Sequence, residues 1–458
     1  MASSPLSLRL STKQSCVDKP TSLTRLLHFR PKTLRPKPAS SVAVTPFDPI
    51  GLTPVTSNIP KKSLLDRPAY PALAYDSRFL TPLRARLERL PNPTSNPDGD
   101  SSKRMNHDSQ FDGSMDQDDA RPILIIPYMW IGDFVRGHTV VRVLRQRWPN
   151  RPVDLLTTSL CAPLVDYMPG VRQAIVWDLP RSRLAVARQF KLARLLRERN
   201  YGTALVMPRT WKSAIAPALA GIPERVGFVG EFRFGLINRW RWGEKALPRL
   251  IDKNAALALP NGATLPLEWP VPKLTVPPDE IARWRNTHGL DASPAVALAP
   301  GSVGAGKRWP YYAEAARLLA DQGLQVWVVG GPGEKMLAEQ IVAAGGPVVR
   351  DLTGTDLRNG VLAMAAAGVA ISNDSGLMHV AAALGTPTIG IFGPTSPDLW
   401  APLNGLAATI QTKPLPCQPC HRPICRMNDH RCMRDIPASD IVVAAQRALR
   451  EVSSRASI

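Results

Sequence analysis

The sequence has no apolar run near the ~18 residues that a membrane-crossing helix needs, and no apolar core of the kind a secretory leader carries. Cysteine is scarce. Of the six cysteines, four gather at Cys417, Cys420, Cys425 and Cys432, while Cys16 and Cys161 stand alone. That clustering argues against a disulfide framework and for a metal or reduced-thiol site. Acid is also in deficit: 37 Asp and Glu face 57 Lys and Arg, for a net charge of +20. An anionic partner follows, whether nucleic acid, a membrane surface or a phosphorylated substrate, but charge alone does not choose among them. What is present is ordinary globular material, 44% hydrophobic over 458 residues, enough for two or three domains.

Residues 1–120 do not read as a domain. The first hundred hold fifteen of the 46 prolines among Ser, Thr and Arg, and residues 98–119 turn acidic and polar. Such composition buries too little surface to offset chain entropy, so this stretch is expected to be a disordered extension. Its first forty residues, Arg- and Ser-rich and nearly free of acid, share the pattern of organelle transit peptides. Met105 or Met115 is the alternative start, with the upstream part a mis-called reading frame, and that reading is preferred.

Order begins at Pro122-Ile-Leu-Ile-Ile-Pro127, an apolar run suited to a central parallel strand. Helical spacing follows from Phe134 to Trp148, then strand and helix alternate through Arg225–Phe228. Residues 260–280 are Pro-rich, as a linker would be. A second alternation runs from Ala295 to Phe392, and a last helix spans Ser439 to Val452. The pattern is α/β: two Rossmann-like, doubly wound halves with a cleft between them, divided as residues 121–270 and 271–458.

Two loops of the second half face one sheet edge. Ser372-Asn373-Asp374-Ser375-Gly376 lies between a buried strand and an Ala/Leu helix ending at Gly385, where free N–H groups and the helix dipole favour a phosphate. Asp374 is read as the helix cap, because an anion would repel a phosphate, with Ser375 and Gly376 facing the ligand. Pro300-Gly-Ser302-Val-Gly-Ala-Gly-Lys307-Arg-Trp-Pro310 frees backbone N–H groups and adds a mobile cation, with Pro310 expected at the first helical position. It is not a Walker A loop, since the spaced GK[ST] ending is missing. Together the loops suggest a nucleotide diphosphate. In the first half, Asp133 sits at a helix start and is either an N-cap or, facing a cleft, a general base whose pKa burial would raise.

IIPYMWIGDFVRGHTVVRVL, PRTWKSAIAPALAGIPERVGF, PGSVGAGKRWP and NDSGLMHVAAALGTPTIGIFGPTSP, in that order, resemble the ADP-heptose:lipopolysaccharide heptosyltransferases of glycosyltransferase family 9. The closest likeness is to the heptosyltransferase II branch, over roughly residues 122–450. The resemblance implies a GT-B fold with the donor nucleotide on the C-terminal half and the acceptor on the N-terminal half. It implies inverting transfer of L-glycero-D-manno-heptose from ADP-heptose to heptosyl-Kdo2-lipid A of the inner core, with no metal required for catalysis. Asp133 then matches the base; Ser302 and Lys307 match the residues holding the donor phosphates, Lys307 also stabilising the leaving group. Asp374, Ser375, Gly376 and His379 match the donor turn, Asp374 contacting the sugar. Glu334 aligns with an acidic residue near the ribose, or is simply an exposed helix-start Glu; Met378 reads as core.

His138 stands where many relatives carry Pro, a departure touching helix packing or acceptor fit. Arg136, Arg142, Arg181, Arg183, Arg188, Lys191, Arg209 and Lys212 make the first half basic. Most are expected on a solvated face, with Arg136, Arg209 and Lys212 the candidates for the acceptor. The implied setting is cytoplasmic, peripheral on the inner-membrane face of a bacterium, without nucleic acid. For Cys417, Cys420, Cys425 and Cys432, with His421 and His430 nearby, a structural zinc and free or oxidised thiols both stand open. Three rivals remain: a family 9 glycosyltransferase using a different nucleotide sugar or acceptor, a zinc-stabilised nucleic-acid-binding protein, which lacks any reader motif, and a sugar-nucleotide epimerase of the same fold.

Overall fold

The computed structural model describes residues 120–178, 185–354 and 356–456. The expectations for residues 1–119, Arg181 and Arg183 lie outside the described residues.

Two six-stranded sheets, parallel throughout, carry the chain. The first is built from β1 (Ile123–Ile126), β2 (Val153–Thr157), β3 (Gln173–Val176), β4 (Thr203–Val206), β5 (Glu224–Phe228) and β6 (Arg239–Arg241), in the order β3-β2-β1-β4-β5-β6. The second uses β7 (Ala295–Ala299), β8 (Gln325–Val328), β9 (Val349–Asp351), β10 (Val369–Asn373), β11 (Thr388–Ile391) and β12 (Ala407–Ile410). Its order, β12-β11-β10-β7-β8-β9, is the first sheet's order repeated. In each half the order reverses beside the first strand, between β1 and β4 and between β7 and β10. A doubly wound sheet opens its ligand crevice there, at the strands' carboxyl ends.

The central strands ILII, TALV, AVALA and VAISN are buried along their whole length, as strands covered on both faces must be. The Pro-rich linker is tied to both halves. Leu274 donates its N–H to Ala383 O at 2.8 Å, Thr275 donates to Tyr167 O at 2.8 Å, and Leu274 and Val276 are buried. His138 explains its own place here: its Nε2 bonds Pro169 O at 2.9 Å and its Nδ1 accepts the Lys273 N–H at 3.0 Å. Burial pushes its pKa down to about 4, so the ring is neutral and fastens the linker to the Ile131–Arg147 helix.

Several elements differ from the expectations. The linker ends in a helix, Pro278–Thr287, because a proline at the first helical position starts a helix as readily as one further in breaks it. The helix between β2 and β3 is a single short turn, Ala162–Val165. The terminal helix, Ala438–Ala456, packs on the second half, where Ile441 and Ala445 share a buried cluster with β7 and β10 residues.

Candidate functional site

The site forms where two helices meet start to start. The Ile131–Arg147 helix follows β1, and the Gly376–Leu384 helix follows β10. Each has a glycine in its first turn at the contact, Gly132 and Gly376. A Cβ built on Gly132 would stand 2.7 Å from His379 Cδ2, and one built on Gly376 would stand 2.8 Å from Ile131 Cβ. Carbon contacts are ordinarily ~3.5–4.0 Å, so only glycine lets the two helix starts approach this closely. That approach brings Asp133 of the first half to Lys307, Asp374 and His379 of the second.

Asp133 occupies the third position of its helix; Trp130 is the N-cap residue, so the capping alternative does not hold. Burial raises the Asp133 pKa above the ordinary aspartate range; Arg136 draws it back, Asp374 pushes it up and Lys307 lowers it. Arg136, a candidate for the acceptor, is enclosed within the site. It is 1% exposed, its guanidinium lies 4.7 Å from the Trp400 ring centre, and one nitrogen donates to Leu399 O at 2.8 Å across the cleft. Its other two guanidinium nitrogens are buried without a hydrogen-bond partner, and burial lowers its pKa to about 10. This buried cation favours the ionised form of Asp133. His379 is buried, and burial, then Arg136 and Lys307, push its pKa well below the usual histidine range.

Asp374 does not cap the following helix; the N-cap residue is Ser375. Instead Asp374 accepts from Lys307 Nζ at 2.7 Å, its side chain 8% exposed against 30% for the lysine. A buried carboxylate needs a partner, and the cation on the neighbouring loop supplies it. Ser375 Oγ bonds Ser372 Oγ at 3.0 Å and makes no cap, so the first N–H groups of the helix have no side-chain cap. The two loops are stitched by Asn373, whose role the sequence did not reveal. Its Oδ1 accepts the Trp309 N–H at 3.0 Å and its Nδ2 donates to Pro300 O at 2.7 Å.

On the same side, Ser302 Oγ donates to Gly304 O at 3.2 Å. Glu334 is half-buried, accepting the Gly331 N–H at 2.9 Å and lying against Gly301, where a Cβ would meet its carboxyl carbon at 2.8 Å. Lys307 ends a short 3-10 turn, and Pro310 precedes the Tyr311 N-cap rather than opening the helix. Met378 is fully buried core.

Arg209 is ion-paired with Glu244 at 2.9 Å, close to Tyr128. Burial first, then Glu244 and Asp133, push the Tyr128 pKa to about 12, which places a neutral phenol beside the base. Lys212 is half-buried further along, its carbonyl accepting from Gln189 Nε2 at 3.3 Å.

Cys417, Cys420, Cys425 and Cys432 line one cavity of about 290 Å³ with His430. Burial and the other three thiols push the Cys432 pKa up to about 11. Among the described residues, however, no three His, Cys, Asp or Glu side chains are grouped so that they could hold a metal ion. What the loop does is brace the Gly-rich loop: Gly306 N–H donates to Pro423 O at 2.7 Å and His430 Nε2 bonds Gly306 O at 2.7 Å.

The sequence model of glycosyltransferase family 9 (heptosyltransferase) matches residues 189–430. Lipopolysaccharide heptosyltransferase 2 of Escherichia coli K12 is 37% identical over 306 residues, 63% of this chain and 87% of that protein. Lipooligosaccharide heptosyltransferase 2 of Haemophilus influenzae is 34% identical over 307 residues, 63% of this chain and 88% of that protein. The solved structure of E. coli ADP-heptose LPS heptosyltransferase II is similar at a TM-score of 0.65 and 33% identity, over 72% of this chain and 99% of that one. A family 9 structure from Veillonella parvula, 19% identical with a TM-score of 0.64 over 73% of this chain and 98% of that one, shares the fold. With two doubly wound sheets joined at a cleft that holds a raised-pKa carboxylate opposite a lysine, the chain belongs to glycosyltransferase family 9, the heptosyltransferases.

Proposed function

We propose that the protein transfers L-glycero-D-manno-heptose from ADP-heptose to heptosyl-Kdo2-lipid A, as an inverting enzyme of lipopolysaccharide core assembly. The observation that carries this reading is the meeting of Asp133 with the Lys307–Asp374 pair across the Gly132–Gly376 contact. Asp133 takes the proton from the acceptor hydroxyl. That oxygen forms the new bond to the anomeric carbon on one face as the bond to the diphosphate oxygen breaks on the other. ADP leaves with the electron pair, and its charge is met by Lys307 and the N–H groups opening the Gly376–Leu384 helix. Asp374 turns toward the sugar, while Ser302 and Glu334 hold the phosphate and ribose ends of the donor. His379, kept neutral, sets the spacing of the two helices. Arg136 acts by restraining Asp133, whereas Arg209 and Lys212 lie on the open acceptor side.

The names of the relatives, lipopolysaccharide and lipooligosaccharide heptosyltransferases, support a nucleotide-heptose donor and a glycolipid acceptor. Such an acceptor is offered at a membrane, so the protein is placed as a peripheral enzyme on the cytoplasmic face of the inner membrane, without a nucleic-acid partner. No helix among the described residues is long and apolar enough to cross a membrane. Transfer to purified heptosyl-Kdo2-lipid A, wild type beside Asp133→Ala, tests the assignment. Transfer by the wild type and a loss of at least ~10²-fold in the variant is expected. An inactive wild type that still binds ADP would sink the sugar or the acceptor; failure to bind ADP would sink the donor site.

A further inference from the structure

Large apolar side chains stand out in solvent on one rim of the first half. Phe232 is 88% exposed, Phe234 78% and Trp242 75%. Free loops bury such groups by folding back, but this one is built outward. Between the two phenylalanines, Arg233 is fully buried and donates to Pro208 O at 2.6 Å and to Phe228 O. Phe232 takes a left-handed φ of 22°, a conformation that a bulky side chain adopts only when its surroundings impose it. A Cβ on Gly230 would meet the Arg209 carbonyl oxygen at 2.7 Å, and the Phe234 ring lies tilted 5.6 Å from the Trp240 ring. The aromatics therefore stand on a fixed platform beside the acceptor side of the cleft.

The platform is basic. Between residues 185 and 253 the sequence has fourteen Lys and Arg against five Asp and Glu. Glu244 is taken up by Arg209 and Lys253, Glu224 by Arg239, and Asp252 by Arg249, while Lys245 beside Trp242 is exposed. Glu231 is the one exposed acid in the phenylalanine loop. Next door, the Val186–Glu198 helix turns Arg188, Lys191 and the 58%-exposed Phe190 outward, and Gln189 joins it to Lys212. Aromatic tips ringed by cations match the boundary of an anionic leaflet, where rings sit among the headgroups and Lys and Arg meet lipid phosphate.

We propose that Phe232, Phe234 and Trp242 form a bilayer-docking face for anionic phospholipid, setting the cleft at the surface where a lipid-borne acceptor is presented. The face stands on its own geometry and rests on the proposed function only for its orientation. The test is co-sedimentation of the full chain with phosphatidylcholine vesicles, with and without phosphatidylglycerol, all free of glycolipid. Binding only when phosphatidylglycerol is present is expected, and the F232S/F234S/W242S variant should lose it by at least ~10-fold. Transfer to a deacylated, water-soluble acceptor should stay within about 2-fold of wild type, showing that the variant folds and its site is intact. Undiminished vesicle binding by the variant overturns the proposal. So does a wild type that ignores both vesicles, or a wild-type dimer that the variant breaks, which would make the face a protein interface. Because the vesicles carry no acceptor, loss of heptose transfer alone leaves the docking result standing.

Discussion

Gly132→Ala places one methyl group where the two halves of the enzyme touch, and its consequence can be worked from the contact. The new Cβ would lie 2.7 Å from His379 Cδ2 and 3.6 Å from Gly376 Cα. Relative to an ordinary carbon contact the overlap is about 1 Å. His379 is 6% exposed, so the relief is a parting of the two helix starts by a comparable distance. Overpacking of this kind costs about 1–3 kcal/mol of stability. Its effect on transfer is larger: Asp133 rides on one helix start and the donor turn on the other, and a 1 Å misplacement of reacting groups costs on the order of 10²-fold. Gly376→Ala, with its Cβ 2.8 Å from Ile131 Cβ, attacks the same contact from the other side and should not add fully to the first. Gly405→Ala, with nothing within 4 Å, is the control. Steady-state transfer from ADP-heptose, measured beside thermal unfolding, decides it. If Gly132→Ala keeps transfer within ~3-fold of wild type, the helix contact does not set the catalytic geometry.

Four further outcomes follow from the structure. Asp133 must be ionised to act as base, and its pKa is raised by burial and held down chiefly by Arg136, so Arg136→Met should move the acid limb of kcat/KM to higher pH; an unmoved limb would remove Arg136 from the site's electrostatics. The same raised pKa makes ionised Asp133 a stability cost that appears as pH rises from the unfolded aspartate value through the folded one. Asp133→Asn should therefore unfold at higher temperature than wild type above that window and match it below, an advantage at neutral pH being the decisive reading. Replacing His430 by Ala removes its bond to Gly306 O, and a net hydrogen-bond contribution of ~0.5–1.5 kcal/mol predicts a roughly 2- to 10-fold rise in donor KM with kcat little changed; equal KM values would show that the cysteine loop does not brace the donor loop. Metal analysis of the reduced protein should find well under one zinc per chain, because the four thiols share a cavity without forming a ligand group. One zinc per chain, lost in Cys425→Ser, would mean that the loop closes around the ion.

The alternation of strands and helices was legible because both sheets are parallel and covered on both faces, so their central strands are continuous apolar runs such as AVALA and VAISN. The elements that escaped lack that signal. β6 is RWR, a polar three-residue edge strand, and Leu250–Ala256 has only seven residues, too few to show a period. The Pro278–Thr287 helix hid behind the prolines that start it. At the site, the motifs located Asp133, Lys307 and Asp374, but not what each one touches. Asp374 read as a cap because a turn before a helix usually needs one, whereas its partner is Lys307, 67 positions away. Arg136 read as a cation for the acceptor, since its place on the helix says nothing of Trp400 and Leu399 closing over it from the other half. Asn373 lay inside a quoted segment without a role, and His430 was noted only beside the cysteines, because each acts on a backbone group brought near only by the fold. Local pattern locates the groups that do chemistry; the partners that set their charge and position come from the opposite sheet, and it is those partners that turn a helix-start carboxylate into a base.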